Sequence, residues 1–174
     1  MYQVHLDLNY NLFKADGVGR LTGGLRQCQA LSCLILEVLE LGQDGAGSVA
    51  GVLMQCPALA HLDVRDNYIE ADGAVRIAEV LIRCPALVHL DLSRNSIRDD
   101  GAGSIAQVLP QCSALLHLDL SDNRIGDNGA ARLAGVLTQY PALVRLDLSE
   151  NDITDEGEEI LRASWRGHVS GLDV

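Results

Sequence analysis

The feature that most constrains the fold of this chain is a repeat of 28 residues. Units that begin at Leu59, Leu87, Leu115 and Leu143 keep the same order of apolar, polar and glycine positions, and Leu31 fits the same phase. A unit this short cannot bury its own apolar face, whereas stacked units share one continuous core. The sequence therefore predicts one solenoid domain over residues 1–174. We divide it into an incomplete first unit (1–30), four full units (31–58, 59–86, 87–114 and 115–142) and a last unit with a C-terminal cap (143–174).

Each unit has the pattern of a strand, a turn and a helix. In "LAHLDV" (59–64), Leu62 and Val64 alternate with polar residues, as in a half-buried strand. Farther along, Ala74, Ile77 and Leu81 recur at helical spacing and define one buried stripe. We expect an α/β fold of about five to six repeats. Parallel strands would line the inner, concave face of a right-handed horseshoe, and the bulkier helices would line its outer face.

Two polar positions of the unit have structural interpretations. Asn11, Asn67, Asn95, Asn123 and Asn151 share one position, where an amide can satisfy backbone groups of the turn and of the adjacent coil. The acidic residue before the repeated glycine, typified by Asp72, is predicted to be a helix N-cap. Leu39 takes the asparagine position in its unit, so we expect an irregular turn there.

The motif LxxLxLxxNxI followed by a glycine-started helix resembles the leucine-rich repeats of the ribonuclease-inhibitor type. The unit "LVHLDLSRNSIRDDGAGSIAQVLPQCSA" (87–114) carries the resemblance most fully, and it extends over essentially the whole chain. Proteins of this type include ribonuclease inhibitors, activators of a small nuclear GTPase, and the ligand-sensing ends of nucleotide-binding immune receptors. The resemblance implies a leucine-rich-repeat solenoid with an intracellular binding surface, and it brings no catalytic residue.

Composition narrows the classes of partner. The net charge of −11 argues against binding to nucleic acid or to an anionic membrane, and it favours a basic protein partner. No apolar run approaches the roughly 20 residues of a membrane span. The five cysteines show no paired metal-binding spacing, so a reducing, cytoplasmic location is the expectation.

Histidine and aspartate recur two residues apart on the predicted strands. His5, His61, His89 and His117 share one position, which is Cys33 and Arg145 in other units. Histidine and aspartate at this spacing are the residue types of a zinc or copper site and of acid–base catalysis. An open sheet offers no second shell for a metal and no pocket for catalysis, so we predict no metal, no cofactor and no enzymatic activity. Cys33, in the histidine position, is the one thiol that we expect to be reactive.

The function that the sequence favours is non-catalytic protein–protein interaction through the acidic concave face, as in a scaffold. Two alternatives remain open: regulation of an enzyme, by GTPase activation or inhibition, and the sensor part of a larger immune-receptor-like protein. A structural spacer is a third. The predicted partner-binding residues are His61, Asp63, Arg65, His89, Asp91, His117, Asp119, Arg145 and Asp147.

The two ends of the repeat array differ. Glu158, Arg162 and Trp165 replace repeat residues near the C-terminus, and "VSGLDV" (169–174) offers a last strand, so we expect a terminal cap. The N-terminal unit has no comparable cap. Either preceding sequence is missing or two copies form a homodimer through this end.

Overall fold

Strands and helices alternate along the chain. The computed structural model describes residues 4–11, 14–25, 28–140 and 142–174, without the side chains of residues 14–16, 21–23 and 169. The strands are β1 (Val4–Asp7), β2 (Leu31–Ile35), β3 (His61–Asp63), β4 (His89–Asp91), β5 (His117–Asp119), β6 (Arg145–Asp147) and β7 (Leu172–Asp173). The helices are α1 (Lys14–Leu25), α2 (Gly42–Leu53), α3 (Glu70–Leu81), α4 (Arg98–Val108), α5 (Asp127–Leu137) and α6 (Asp155–Ser164). Short 3-10 turns follow α4 and α6.

All seven described strands form one parallel sheet in sequence order, so each unit pairs only with its neighbours. The register is a shift of one whole unit: His61 lies beside His89, and His89 lies beside His117. The predicted α/β solenoid is therefore confirmed. None of the helices in the described part of the chain combines the length and the apolar character that a membrane span requires.

The core lies between the sheet and the helices and runs through every unit. Its strand side includes Leu34, Leu62 and Leu90, all essentially buried. On the helix side the units approach closely, because a Cβ placed on Gly73 would lie 2.9 Å from Ala46 Cβ and 2.6 Å from Ile69 Cγ2. The repeated glycine is thus required by packing between neighbouring helices.

The asparagines brace the turns between strand and helix, as predicted. Asn67 Nδ2 donates to the carbonyls of Leu36 and Val64, and its Oδ1 accepts from the backbone N–H of Leu39 at 2.9 Å. The expectation of an irregular turn at Leu39 is wrong. Residues 38 and 40 have φ of 56° and 52°, like the matching residues 66 and 68. The turn stays regular because the backbone N–H of Leu39 donates to Asn67, the asparagine of the following unit.

The helix starts correct a second expectation. Asp72 is the third residue of α3, whose N-cap position is occupied by Ile69, so the acidic residue before the glycine is not an N-cap. It lies in the first turn, where a carboxylate interacts favourably with the helix dipole. Asp16, at the equivalent place in α1, lies outside the described side chains.

At α5 and α6 the capping role belongs instead to an aspartate of the preceding unit. Asp99 Oδ1 accepts hydrogen bonds from the backbone N–H of Gly126 at 2.7 Å and of Gly129 at 3.1 Å, at the start of α5. Asp127 holds Thr154, which precedes α6, with both carboxylate oxygens: Oδ1 accepts from the backbone N–H at 2.9 Å and Oδ2 from the hydroxyl at 2.8 Å. These contacts join consecutive units.

The C-terminal end has the expected last strand. Leu172 of β7 pairs with Leu146 of β6 and is 8% exposed. Trp165 packs against the core and donates its Nε1–H to the carbonyl of His168 at 2.9 Å. On α6, Arg162 and Glu158 form an ion pair with a separation of 2.8 Å.

Candidate functional site

The concave face, meaning the side of the sheet opposite the helices, carries two parallel rows of side chains. Because each strand pairs with the next in unit register, equivalent residues stand side by side. The first row contains His5, Cys33, His61, His89, His117 and Arg145. The second row contains Asp7, Ile35, Asp63, Asp91, Asp119, Asp147 and Asp173.

Three imidazoles of the first row form a stack. The ring centroids of His89 and His117 are 4.2 Å apart and the planes differ by only 7°. His61 lies 5.4 Å from His89 at an angle of 39°. Burial, reinforced by the flanking His117 and His61, holds the pKa of His89 below its ordinary value. The stack therefore favours the neutral form of His89.

The aspartates of the second row, apart from Asp173, each use one oxygen to hold the turn after the strand. Asp91 Oδ1 accepts from Ser93 N at 2.9 Å and from Ser93 Oγ at 2.7 Å. Asp119 binds Ser121 with the same geometry. Burial raises the pKa of Asp91 and of Asp119, and the serine hydrogen bonds offset this only in part.

The two arginines of the predicted site already have carboxylate partners. Arg65 Nη2 lies 2.8 Å from Glu37 Oε2. Arg145 Nη2 lies 3.1 Å from Asp173 Oδ2 and 3.3 Å from Asp147 Oδ2. Within the described ranges, no ion pair reaches Asp63, Asp91 or Asp119. The middle of the aspartate row thus has no ion-pair partner in the described part of the chain, although the charge of Arg65 acts to lower the pKa of Asp91.

A shallow depression of about 400 Å³ opens over the two rows. Seven of the nine predicted partner-binding residues line it, namely His61, His89, Asp91, His117, Asp119, Arg145 and Asp147. The other two lie beside it: Asp63 is 9% exposed next to Asp91 in the sheet, and Arg65 is turned to Glu37. The structure therefore gathers the predicted residues on one surface.

An apolar position beside the histidines was missed in the sequence. Ala60, Val88 and Leu116 immediately precede the stacked histidines and are half-buried, and Val144 in the next unit is 47% exposed. The signal was present, because these residues share one position in four successive units. They give the polar rows an apolar border.

The arrangement offers little for other chemistry. Among the described residues, no group of three histidine, cysteine or acidic side chains is placed to hold a metal ion. The glycine-rich stretch 45–51 lies inside helix α2, so it does not form a phosphate-binding loop.

The surroundings of Cys33 argue against the reactive thiol expected from the sequence. Burial raises the pKa of Cys33, and the charges of Asp63 and Asp7 raise it further. The thiolate is the nucleophilic form of cysteine, so this environment lowers reactivity. Burial also raises the pKa of Cys84 and of Cys112 to about 11. All five cysteines are free thiols.

Comparison with known proteins agrees with this architecture. A family model described as "Leucine Rich repeat" matches residues 55–78, 83–106, 111–134 and 141–157. No curated protein matches the chain by sequence.

Two solved structures share the fold across most of their length. The C-terminal domain of tropomodulin from Caenorhabditis elegans superposes with a TM-score of 0.71 at 12% identity, covering 84% of this chain and 90% of that domain. A structure titled as actin-binding site 2 of leiomodin-1 gives a TM-score of 0.70 at 16% identity, covering 88% and 87%. At these identities the likeness shows the fold alone.

Proposed function

Because this chain belongs to the leucine-rich repeat family, we propose that it is a protein-interaction module whose concave face binds a basic partner. The proposal gives the chain no catalytic role. Its nine contact residues are those expected from the sequence, His61, Asp63, Arg65, His89, Asp91, His117, Asp119, Arg145 and Asp147.

The observation that carries the proposal is that the charge in the middle of the aspartate row is compensated only in part, by Arg65. Asp63, Asp91 and Asp119 stand on adjacent strands, about 4.8 Å apart, and have no direct ion-pair partner in the described structure. Like charges at this spacing repel, and burial already disfavours their ionised form at Asp91 and Asp119. A cationic side chain placed in the depression would relieve both effects, which makes a basic partner the best fit.

We extend the proposal to subtype and location. A helix in every full unit and a spacing of 28 residues support the ribonuclease-inhibitor type of repeat. Five free thiols support a cytoplasmic, reducing environment. The leiomodin-1 structure is titled an actin-binding site, so actin is included among the partners to be tested.

Neutralisation of two aspartates tests the proposed surface. The double variant Asp91→Asn/Asp119→Asn keeps an Oδ1 acceptor for Ser93 and Ser121 while it removes two charges. The partner of the wild-type protein is first isolated by affinity capture. That partner and, in a separate titration, actin are then measured by calorimetry. Whichever of them binds the wild type should bind the variant at least about tenfold more weakly.

The matched control is Asp72→Asn/Glu79→Gln, which removes the same charge from exposed residues of helix α3. It should bind the partner like the wild type. Equal affinity of the wild type and the concave-face variant would contradict the proposal.

Folding of the concave-face variant is checked by its stability. Both aspartates have a pKa raised above 3.8 in the folded state, so their contribution to stability is fully present below pH 3.8 and is lost as pH rises through the folded pKa values. Asparagine does not ionise, so the variant does not lose stability in this way as pH rises. It should be no less stable than the wild type at neutral pH.

A further inference from the structure

The stacked histidines are the feature of the concave face that the proposed function does not yet use. His61, His89 and His117 line the same depression as Asp91, Asp119 and Asp147. Histidine is the side chain whose ordinary charge change falls between about pH 5 and pH 8. Three imidazoles within 5.4 Å of their neighbours therefore place a proton-sensitive element inside the proposed binding surface.

Protonation would reverse the charge of this depression. With neutral imidazoles, its three aspartates and one arginine carry a formal charge of −2, and three added protons change this to +1. No aspartate is hydrogen-bonded to an imidazole among the described side chains, because each commits Oδ1 to its own turn. The added positive charges would therefore repel a cationic ligand that enters the depression.

Every strand contributes charged or titratable groups to this environment. From β1 to β7, and including the residues that directly follow the strands, they are His5, Asp7, Cys33, Glu37, His61, Asp63, Arg65, His89, Asp91, His117, Asp119, Arg145, Asp147 and Asp173. Arg145 borders the stack at the β6 side through its register with His117. The acidic groups lie in the neighbouring row, so the stacked imidazole rings mainly contact one another.

We propose that the stack of His61, His89 and His117 is a proton gate on this surface: the depression binds a cationic segment of the partner protein while the imidazoles are neutral and releases it when they are protonated. The gate rests on the proposed function, since it regulates the same concave face. Stacked rings 4.2 Å apart also cannot both take a proton without mutual repulsion, so the charge builds up in steps as pH falls.

The direction of the pH dependence follows from the site. The pKa of His89 lies below 6.5, so this ring is neutral at pH 7.5 and gains its proton only in more acidic solution. Affinity for a cation is therefore highest near neutral pH and falls as pH drops below 6.5. The pKa values of Asp91 and Asp119 are raised, so the histidine variant described below is needed to separate protonation of the imidazoles from protonation of these carboxylates.

A synthetic peptide of alternating lysine and alanine, blocked at both ends, serves as the cationic probe. Its affinity for the full chain is measured by calorimetry at pH 7.5 and pH 5.5 at constant ionic strength. We expect the affinity to fall at least about tenfold between the two pH values in the wild type. The double variant His89→Gln/His117→Gln should change less than about threefold, and His168→Gln, at an exposed histidine near the C-terminus, should behave like the wild type.

The outcomes separate the gate from the proposed function. Failure of the peptide to bind the wild type at pH 7.5 would overturn both. Equal binding at the two pH values, or an unchanged pH dependence in the histidine double variant, would overturn the gate and leave the acidic surface standing.

A measurement on the wild type alone guards against misfolding of the variants. Binding and protonation are linked, so a bound cation must lower the pH at which the stacked imidazoles titrate. NMR titration of the imidazole C–H resonances with and without the peptide should show this shift for His89 and His117 and no shift for His168. Identical titration curves with and without bound peptide would overturn the gate.

Discussion

At the scale of single residues, the buried asparagines connect neighbouring units most directly. Asn95 Nδ2 donates to the carbonyls of Val64, Leu92 and Ser93, and its Oδ1 accepts from the backbone N–H of Asn67 and Ile69. Its side chain is fully buried. Loss of the amide would leave backbone groups of two units without partners and without access to water.

We therefore predict that Asn95→Ala lowers the free energy of unfolding by more than about 3 kcal/mol, because several buried backbone groups lose their partners at once. Chemical denaturation followed by circular dichroism measures the change. Asn11→Ala is the matched control, because Asn11 has the same place in its unit but is exposed, and within the described ranges its side chain bonds only to Leu8 and Asn9. The control should lose less than about 1 kcal/mol, and similar losses in the two variants would contradict the interpretation.

At the scale of secondary-structure elements, an aspartate from the preceding unit determines how a helix begins. Gly42, Glu70 and Arg98 have left-handed φ of 55–61° and donate their N–H groups to an asparagine carbonyl of the next unit. At Gly126 the φ is −101°, and its N–H turns to Asp99. The preceding units of Glu70 and Arg98 carry Gln43 and Ala71 where Asp99 stands, so the two geometries follow the presence of the carboxylate.

Removal of this carboxylate should weaken the start of helix α5. We predict that Asp99→Ala destabilises the protein by about 1–2 kcal/mol, the usual effect of losing a capping side chain. It should also speed hydrogen exchange at the amides of Gly126 and Gly129.

Asp100→Ala is the control, since the Asp100–Arg132 pair is exposed and separated by 3.3 Å. It should change stability by no more than about 0.5 kcal/mol. Unchanged exchange at Gly126 and Gly129 in the Asp99→Ala variant would contradict the capping role.

At the scale of the whole molecule, unit-by-unit stacking turns single residues into continuous rows. The shift of one unit per strand places His89 between His61 and His117, and Asp91 between Asp63 and Asp119. Repulsion within the aspartate row is tolerated because one oxygen of each carboxylate also holds its turn. In a fold without repeats, such a surface is assembled from segments that are distant in sequence. Here it arises from one short sequence repeated.

The period of 28 residues was sufficient to predict the fold and to place the two rows on one face, because stacked units leave a single choice of register. The period could not show which unit supplies the hydrogen-bond partner of a given residue. The capping role of Asp99 carries no signal within its own unit, because its partners Gly126 and Gly129 lie in the next unit. The irregular turn predicted at Leu39 was wrong for the same reason, since Asn67 of the following unit holds this turn. The reactivity expected of Cys33 stays a prediction, and its position in the repeat could not report the burial and nearby charges that raise its pKa.

The central claim is that the concave face is the binding surface, and an NMR titration of the amide resonances tests it most directly. With the lysine–alanine peptide at pH 7.5, the resonances of β3, β4 and β5, together with those of Ser93 and Ser121, should shift progressively and saturate. The amides of helices α3, α4 and α5 should stay in place. Saturable shifts confined to those helices, with the strand resonances unmoved, would contradict the account.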